Sequence, residues 1–260
     1  MKERIITALV LMAAVIPAVI LGGYYFKAVL LAVLVIAVFE MLHICSRPKI
    51  KMYMYPIVLL FFIYGYLFDN SGLFISSHGI LMFLVAIFTA TIFDETLTVE
   101  RSSYIFTMGV LICAGVHILY EIRDTYGFEY LLLLAFANYG SDTGAYFTGL
   151  LFGKHKLIPR LSPKKTIEGA IGGIIFGSII AIGYGIYCNM FVETPTLMVA
   201  CVVLTITSQI GDLVFSAIKR HFEVKDYSNL LPGHGGILDR VDSILFNAIV
   251  FSFFLLLVRL

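Results

Sequence analysis

The chain has no tryptophan, four cysteines and seven prolines in 260 residues, and only 13% of it is charged. So few charges beside a hydrophobic content of 60% exclude a soluble globular domain. A formal net charge of +1 lacks the strongly basic profile of a nucleic-acid binder, and no nucleic-acid partner is expected. Cys45, Cys113, Cys188 and Cys201 lie in or beside apolar runs without metal-type spacing. That leaves no disulfide framework and no zinc site, and the cysteines read as small core residues. There is no internal repeat, low-complexity tract or long linker, so paired transporter halves find no support. The first apolar run follows Lys2, Glu3 and Arg4 as a secretory signal would. Pro17 interrupts it, however, and no small-residue cleavage pattern follows, so it reads as a retained span. With tryptophan absent, Tyr and Phe near span ends are the interfacial anchors.

What the chain does have is apolar runs near the length that crosses a hydrocarbon core of roughly 30 Å, with a mean hydropathy of +0.97. The runs are long and continuous, as in IITALVLMAAVIPAVIL and LFNAIVFSFFLLLV, rather than the short alternating strands of a barrel. The expected fold is therefore an all-α polytopic integral membrane protein. Nine spans are placed near residues 5–21, 28–44, 53–68, 79–93, 104–120, 128–151, 169–188, 196–215 and 241–258. The polar string NYGSDTG makes the sixth the one expected to break or end early. Residues 1–127 read as an N-terminal set of about five spans serving as scaffold and for dimer and lipid contacts. Residues 128–260 read as the set carrying the active site.

Basic residues are retained on the cytoplasmic side of a membrane. With the N-terminus cytoplasmic, fifteen of the 18 Lys and Arg fall in inner segments, and only Lys27, Arg123 and Arg259 fall outside. Two of the inner loops are conspicuously basic and suit phosphates or anionic lipid head groups.

Topology also locates the acids. A span entering from outside near Thr196 puts Asp212 about 24 Å along, at 1.5 Å per residue, near the inner end. Asp239 and Asp242 sit at the start of the ninth span, and Asp142 falls late in the sixth, so all four are expected on one membrane face. Asp239 and Asp242, spaced i, i+3, would project from one helix face and repel if unpartnered. A helix-start preference with Arg240 as charge neighbour explains those two but not Asp212. A hard divalent cation explains all three, and Mg²⁺ with its taste for carboxylates, water and phosphates suits them. Zinc fits less well, because His221 and His234 have no Cys or His partner at usable spacing. His43, His117 and His221 read as structural, and Glu40 as a side chain that snorkels or pairs with Arg47.

Pro232-Gly233-His234-Gly235-Gly236 reads either as a sharp turn or as an anion-binding concavity. Lys219, Arg220 and Lys225 precede it, and Asp239, Arg240 and Asp242 follow it. In the loop GKHKLIPRLSPKKTIEG, Ser162 followed by Pro163 predicts a helix N-cap and first helical position beside Lys164 and Lys165. An ordinary positive-inside loop would be as rich in lysine. Asn138 and Ser141 suit hydrogen bonding between helices.

The 27 residues Ser216–Asp242, SAIKRHFEVKDYSNLLPGHGGILDRVD, resemble the complete signature of the phosphatidate cytidylyltransferases. Asp142-Thr143-Gly144-Ala145-Tyr146 and Ser162-Pro163-Lys164-Lys165-Thr166-Ile167-Glu168-Gly169 resemble that family's other polar motifs. Ile167 departs from the tryptophan common in relatives, a packing difference. The resemblance implies transfer of a cytidylyl group from CTP to phosphatidate, giving CDP-diacylglycerol and pyrophosphate. It also implies dependence on Mg²⁺, a homodimer, and an integral protein of a bacterial-type plasma membrane with its active site facing the cytoplasm. It places metal binding on Asp212, Asp239 and Asp242, with a monovalent cation such as K⁺ as a second ion. Lys219 and Arg220 join those acids as the catalytic set. Substrate binding is expected of Asp142, Ser162, Lys164, Lys165, Lys225, Asp226, His234, Gly235, Gly236 and Arg240. Two other functions share some of these features. One is a cation-coupled transporter relaying through Asp142, Asp212 and Asp242; the other is a CTP-dependent lipid kinase that would release CDP.

Overall fold

The structure, a computed structural model, describes residues 2–45, 50–68, 72, 73, 75–190 and 196–259. Among these residues the chain forms nine α-helices, two π-helical turns and one short hairpin. They group into two compact units, the first made of Met1–Thr125 and Phe222–Val241, the second of Tyr126–His221 and Asp242–Leu260.

The first unit contains α1 (Lys2–Leu21), α2 (Gly23–Ile44), α3 (Met54–Ile63) running into a π turn at Tyr64–Phe68, α4 (Ser77–Phe93) and α5 (Val99–Glu121). Ser76 and Thr98 cap α4 and α5, their hydroxyls accepting from the N–H groups of Gly79 and Arg101. The core is continuous and apolar, with Leu34, Met41, Phe62, Ile105, Met108 and Ile112 buried. The rings of Phe61 and Phe83 stack in parallel with centroids 4.0 Å apart. Arg123 reaches across to donate to the Val19 and Ile20 carbonyls at the end of α1, groups that a helix end leaves without partners.

Asp94, just past α4, is buried and accepts from the Tyr53 hydroxyl at 2.8 Å, the Thr96 hydroxyl at 2.7 Å and the Thr96 N–H at 3.0 Å, with the Lys51 ammonium at 3.1 Å. Burial alone would raise its pKa, but the bonds from Thr96, Tyr53 and Lys51 outweigh it and hold the carboxyl well below its usual range. A depressed carboxyl stabilises the fold fully above its unfolded value of about 3.9 and loses that contribution as pH falls through the lower folded value. In detergent, the advantage of the native chain over Asp94→Asn in unfolding midpoint is therefore expected to be constant from pH 8 to 5 and to shrink below about pH 4. A gap unchanged down to pH 2 would refute the ionised state of Asp94.

The second unit contains α6 (Phe128–Phe152), the antiparallel hairpin β1 (Lys156–Ile158) and β2 (Ser162–Thr166), α7 (Ile167–Tyr187) and α8 (Thr196–His221). α9 (Leu238–Arg259) begins in the first unit and continues through the second. The tightest packing is between α6 and α7 and depends on glycine. A Cβ on Gly177 would meet the Ser141 amide nitrogen at 2.7 Å, and one on Gly173 the Ser141 carbonyl at 2.7 Å. Gly169, Gly173 and Gly177 repeat every four residues, the small-residue stripe that lets membrane helices approach closely.

The sixth predicted span is accounted for by its neighbours α8 and α9. Its polar string neither breaks nor ends the helix, and α6 runs unbroken, because the polar groups are satisfied sideways. Asn138 donates to Ser243 Oγ at 3.1 Å and accepts from Ser208 Oγ at 2.8 Å and Asn247 Nδ2 at 3.0 Å. Ser141 Oγ accepts from Gln209 Nε2 at 3.0 Å. A fully bonded polar network of this kind is compatible with burial where isolated groups are not.

Two further expectations need correction. The fold is helical apart from the β1–β2 hairpin, and Ser162 and Pro163 lie on β2 rather than at a helix start. The cap of α7 is Thr166, whose hydroxyl accepts from Gly169 N–H at 3.1 Å. The hairpin is held by Glu168, whose carboxylate accepts from the Lys154 and His155 amides and pairs with His155 Nδ1 at 2.6 Å.

By length and apolarity α2, α5 with its π turn, α7, α8 and residues 238–257 of α9 can cross a membrane, and residues 9–21, α3 with its π turn and α4 are shorter apolar helices. Exposed Leu150, Leu151, Ile171, Ile175 and Ile179 give the second unit an apolar exterior that belongs against lipid. Cys45, Cys113 and Cys201 are buried, as core residues should be, whereas Cys188, at the end of α7, is only half-buried.

Candidate active site

The signature segment is a compact loop leading from the end of α8 into α9. Within it Leu231 N–H donates to the Gly235 carbonyl at 2.8 Å and His234 N–H to the Leu231 carbonyl at 2.9 Å, closing a tight turn. Gly233 (φ 75°) and Gly235 (φ 80°) occupy left-handed conformations, which side chains rarely adopt. The turn itself thus accounts for both glycines. His234 is half-buried, while Lys225, Asp226 and Arg240 are exposed.

Asp239, in the first turn of α9, points back into this loop. Its Oδ2 accepts from Tyr227 N–H at 2.8 Å and Gly236 N–H at 2.9 Å. Asp242 stands three residues later on the same helix. Glu40 of α2 enters the same loop. Its Oε1 accepts from the Ser228 hydroxyl at 2.6 Å and Ile237 N–H at 2.9 Å, and its Oε2 accepts from Leu238 N–H at 2.8 Å. Glu40 is therefore buried and bonded to the signature, not snorkelling; Arg47, its other expected partner, lies outside the described residues.

In the second unit the predicted acids meet the predicted bases. Lys165 on β2 forms an ion pair with Asp212 on α8, and Asp142 on α6 interacts electrostatically with both. Lys219, on the last turn of α8, lies 3.8 Å from Asp242 Oδ2, with both side chains buried. Arg220 follows on the exposed side. Ser162 and Lys164 sit on the same strand as Lys165. Like charges at Asp142 and Asp212 are thus offset by an ammonium. Among the described residues no three His, Cys, Asp or Glu side chains are grouped as a metal site.

The sequence reading missed Glu40, Ser228 and Glu168. For Glu40 the one available signal is a carboxylate deep in an apolar span, which needs a partner; its partners lie almost 200 residues away.

Apolar helices long enough to cross a bilayer and an apolar exterior define an integral membrane protein, and within it the second unit holds two acid–base pairs. The comparison with known proteins is specific. The chain belongs to the cytidylyltransferase family, whose model matches residues 2–258. The phosphatidate cytidylyltransferase of Bacillus subtilis is 34% identical over 98% of this chain and 97% of its own. That of Staphylococcus haemolyticus is 33% identical over 95% of each, and that of Staphylococcus saprophyticus 46% identical over 51% of this chain and 50% of its own.

Proposed function

We propose that this chain transfers a cytidylyl group from CTP to phosphatidate, yielding CDP-diacylglycerol and pyrophosphate for phospholipid synthesis. The observation that carries this reading is near full-length similarity to relatives of that name. Nine spans with a cytoplasmic N-terminus are proposed from the Lys/Arg asymmetry, which sets the loop, Asp212 and Asp242 toward the cytoplasm, where CTP is. A homodimer in a bacterial-type plasma membrane completes the assignment.

In the reaction a phosphate oxygen of phosphatidate attacks the α-phosphorus of CTP, and the bond to the bridging oxygen breaks to release pyrophosphate. The nucleophile is already anionic near neutral pH, so no strong base is required, and the obstacle is the mutual repulsion of anions. Lys164, Lys165, Arg220 and Arg240 offer the cations that screen nucleophile and leaving group, and Ser162, Lys225, Asp226, His234, Gly235 and Gly236 offer polar contacts. Lys165 and Lys219 hold the charge balance around Asp212 and Asp242, and Asp142 joins the polar contacts.

Asp212, Asp239 and Asp242 are the residues that would hold Mg²⁺. All three offer hard carboxylate oxygens, the donor type Mg²⁺ takes; among the described residues they are not grouped as a ready-made site, and Asp212 and Asp242 each face an ammonium that the metal would have to displace. A bound Mg²⁺ supplies charge neutralisation for the triphosphate, with K⁺ as a second cation.

Purified protein given phosphatidate, labelled CTP and Mg²⁺ is expected to form a CDP-lipid and pyrophosphate, and EDTA to abolish both. Asp239→Asn is expected to lower turnover at least 100-fold. Release of CDP with a phosphorylated lipid alcohol would replace this reading by a lipid kinase, and ion uptake into proteoliposomes without CTP by a transporter.

A further inference from the structure

A carboxylate that is 3% exposed on an apolar helix is costly unless fully bonded. Glu40 meets that requirement entirely through the loop before α9. The N–H groups of Ile237 and Leu238 belong to the helix start, where backbone donors have no intrahelical acceptor, and a negative charge there is favoured by the helix dipole. Glu40 supplies both the acceptors and the charge, and takes the Ser228 hydroxyl as a third bond.

Gly236 bears an independent mark of the same contact. A Cβ there would lie 2.6 Å from Glu40 Oε1 and 2.7 Å from its Cδ and Oε2. Gly236 has no left-handed conformation to explain it, so the buried carboxylate is the reason no side chain fits. Asp239 adds a second lacing, from the helix back to Tyr227 and Gly236. The two carboxylates together fix both sides of the segment from Tyr227 to Asp239.

We propose that Glu40 is a positioning residue of the active site, fixing the start of α9 and with it the Asp239 carboxylate and the Gly233–Gly236 turn, without touching substrate. This rests on the reading of that loop as catalytic. Glutamine cannot replace it, because an amide nitrogen cannot accept, and one of the three donors would then face another donor.

The test uses the full-length chain in detergent with Glu40→Gln and Ser228→Ala, comparing amide hydrogen exchange, unfolding midpoint and turnover against Mg²⁺. Glu40→Gln is expected to speed exchange at Ile237 and Leu238 at least tenfold while peptides from α6–α8 are unchanged. It should also lower turnover at least tenfold and raise the Mg²⁺ concentration for half-maximal rate at least threefold, a shift that mere loss of folded protein would not produce. Ser228→Ala, which removes one bond, should move each quantity the same way by less. Native exchange over 227–240 with native Mg²⁺ dependence in folded Glu40→Gln overturns the proposal; if that variant does not fold, the same result for Ser228→Ala does so. A native chain that forms no CDP-lipid instead refutes the cytidylyl-transfer reading, while the exchange measurement still decides whether Glu40 holds the loop.

Discussion

Replacing Gly177 by alanine is expected to lower the unfolding midpoint in detergent by roughly 5–10 °C, whereas the same change at Gly183, six residues on in α7, is expected to leave it unchanged or raise it. The two glycines share a helix and differ in what surrounds them. At Gly177 the added methyl would lie 2.7 Å from the Ser141 amide nitrogen, 2.8 Å from Thr205 Cγ2 and 3.0 Å from the Ser141 Cα. Two of these are backbone atoms of α6, so no rotamer change relieves the overlap and the helices must separate. Overpacking of this kind costs about 1–3 kcal/mol, and the upper end applies where backbone has to move. At Gly183 nothing lies within 4 Å, and alanine gains about 1 kcal/mol of helix propensity. Thermal unfolding of the two variants side by side checks this; equal shifts would show that the glycine stripe does not set the α6–α7 spacing.

The second large effect is expected at Lys219. Lys219 is 8% exposed, and its ammonium lies 3.8 Å from Oδ2 of Asp242, which is 6% exposed. Removing one partner of a buried pair costs about 3–5 kcal/mol, because the other charge loses its counter-charge. Lys219→Met is therefore expected to lose that much stability and nearly all turnover. Lys219→Met combined with Asp242→Asn removes both charges and should regain most of the stability, while turnover stays absent if Asp242 serves the reaction. A double variant no more stable than Lys219→Met would show that the two residues do not act as a pair.

Much of this arrangement was legible in the sequence. Continuous apolar runs announced the helices, and the polar strings around Asp142, Lys165, Asp212 and Asp242 announced charged side chains that need partners, because charge in an apolar chain has few other reasons to persist; the partners turned out to be two separate sets, Asp142 with Lys165 and Asp212, and Asp242 with Lys219. Local signals were less reliable where tertiary contacts decided the outcome. Ser162-Pro163 has the chemistry of a helix start, but residues Lys156–Ile158 were available to pair with it and Glu168 was placed to lock the hairpin. The polar string of α6 looked like a break because its partners on α8 and α9 are 64 to 109 residues away. Glu40 escaped for the same reason: a single side chain carries no periodicity, and its bonds close a loop of about 190 residues.

The first unit takes in residues 222–241, which are made only after the whole second-unit stretch 126–221. At a synthesis rate of about 5–20 residues per second, the N-terminal helices wait roughly 5–20 s on the ribosome before the piece that caps them is delivered. During that interval Glu40 has none of the three donors it meets in the finished fold. The nascent chain therefore passes through a stage in which its early helices are made but this carboxylate has no loop to bond, and truncation before Ser228 removes all three donors at once.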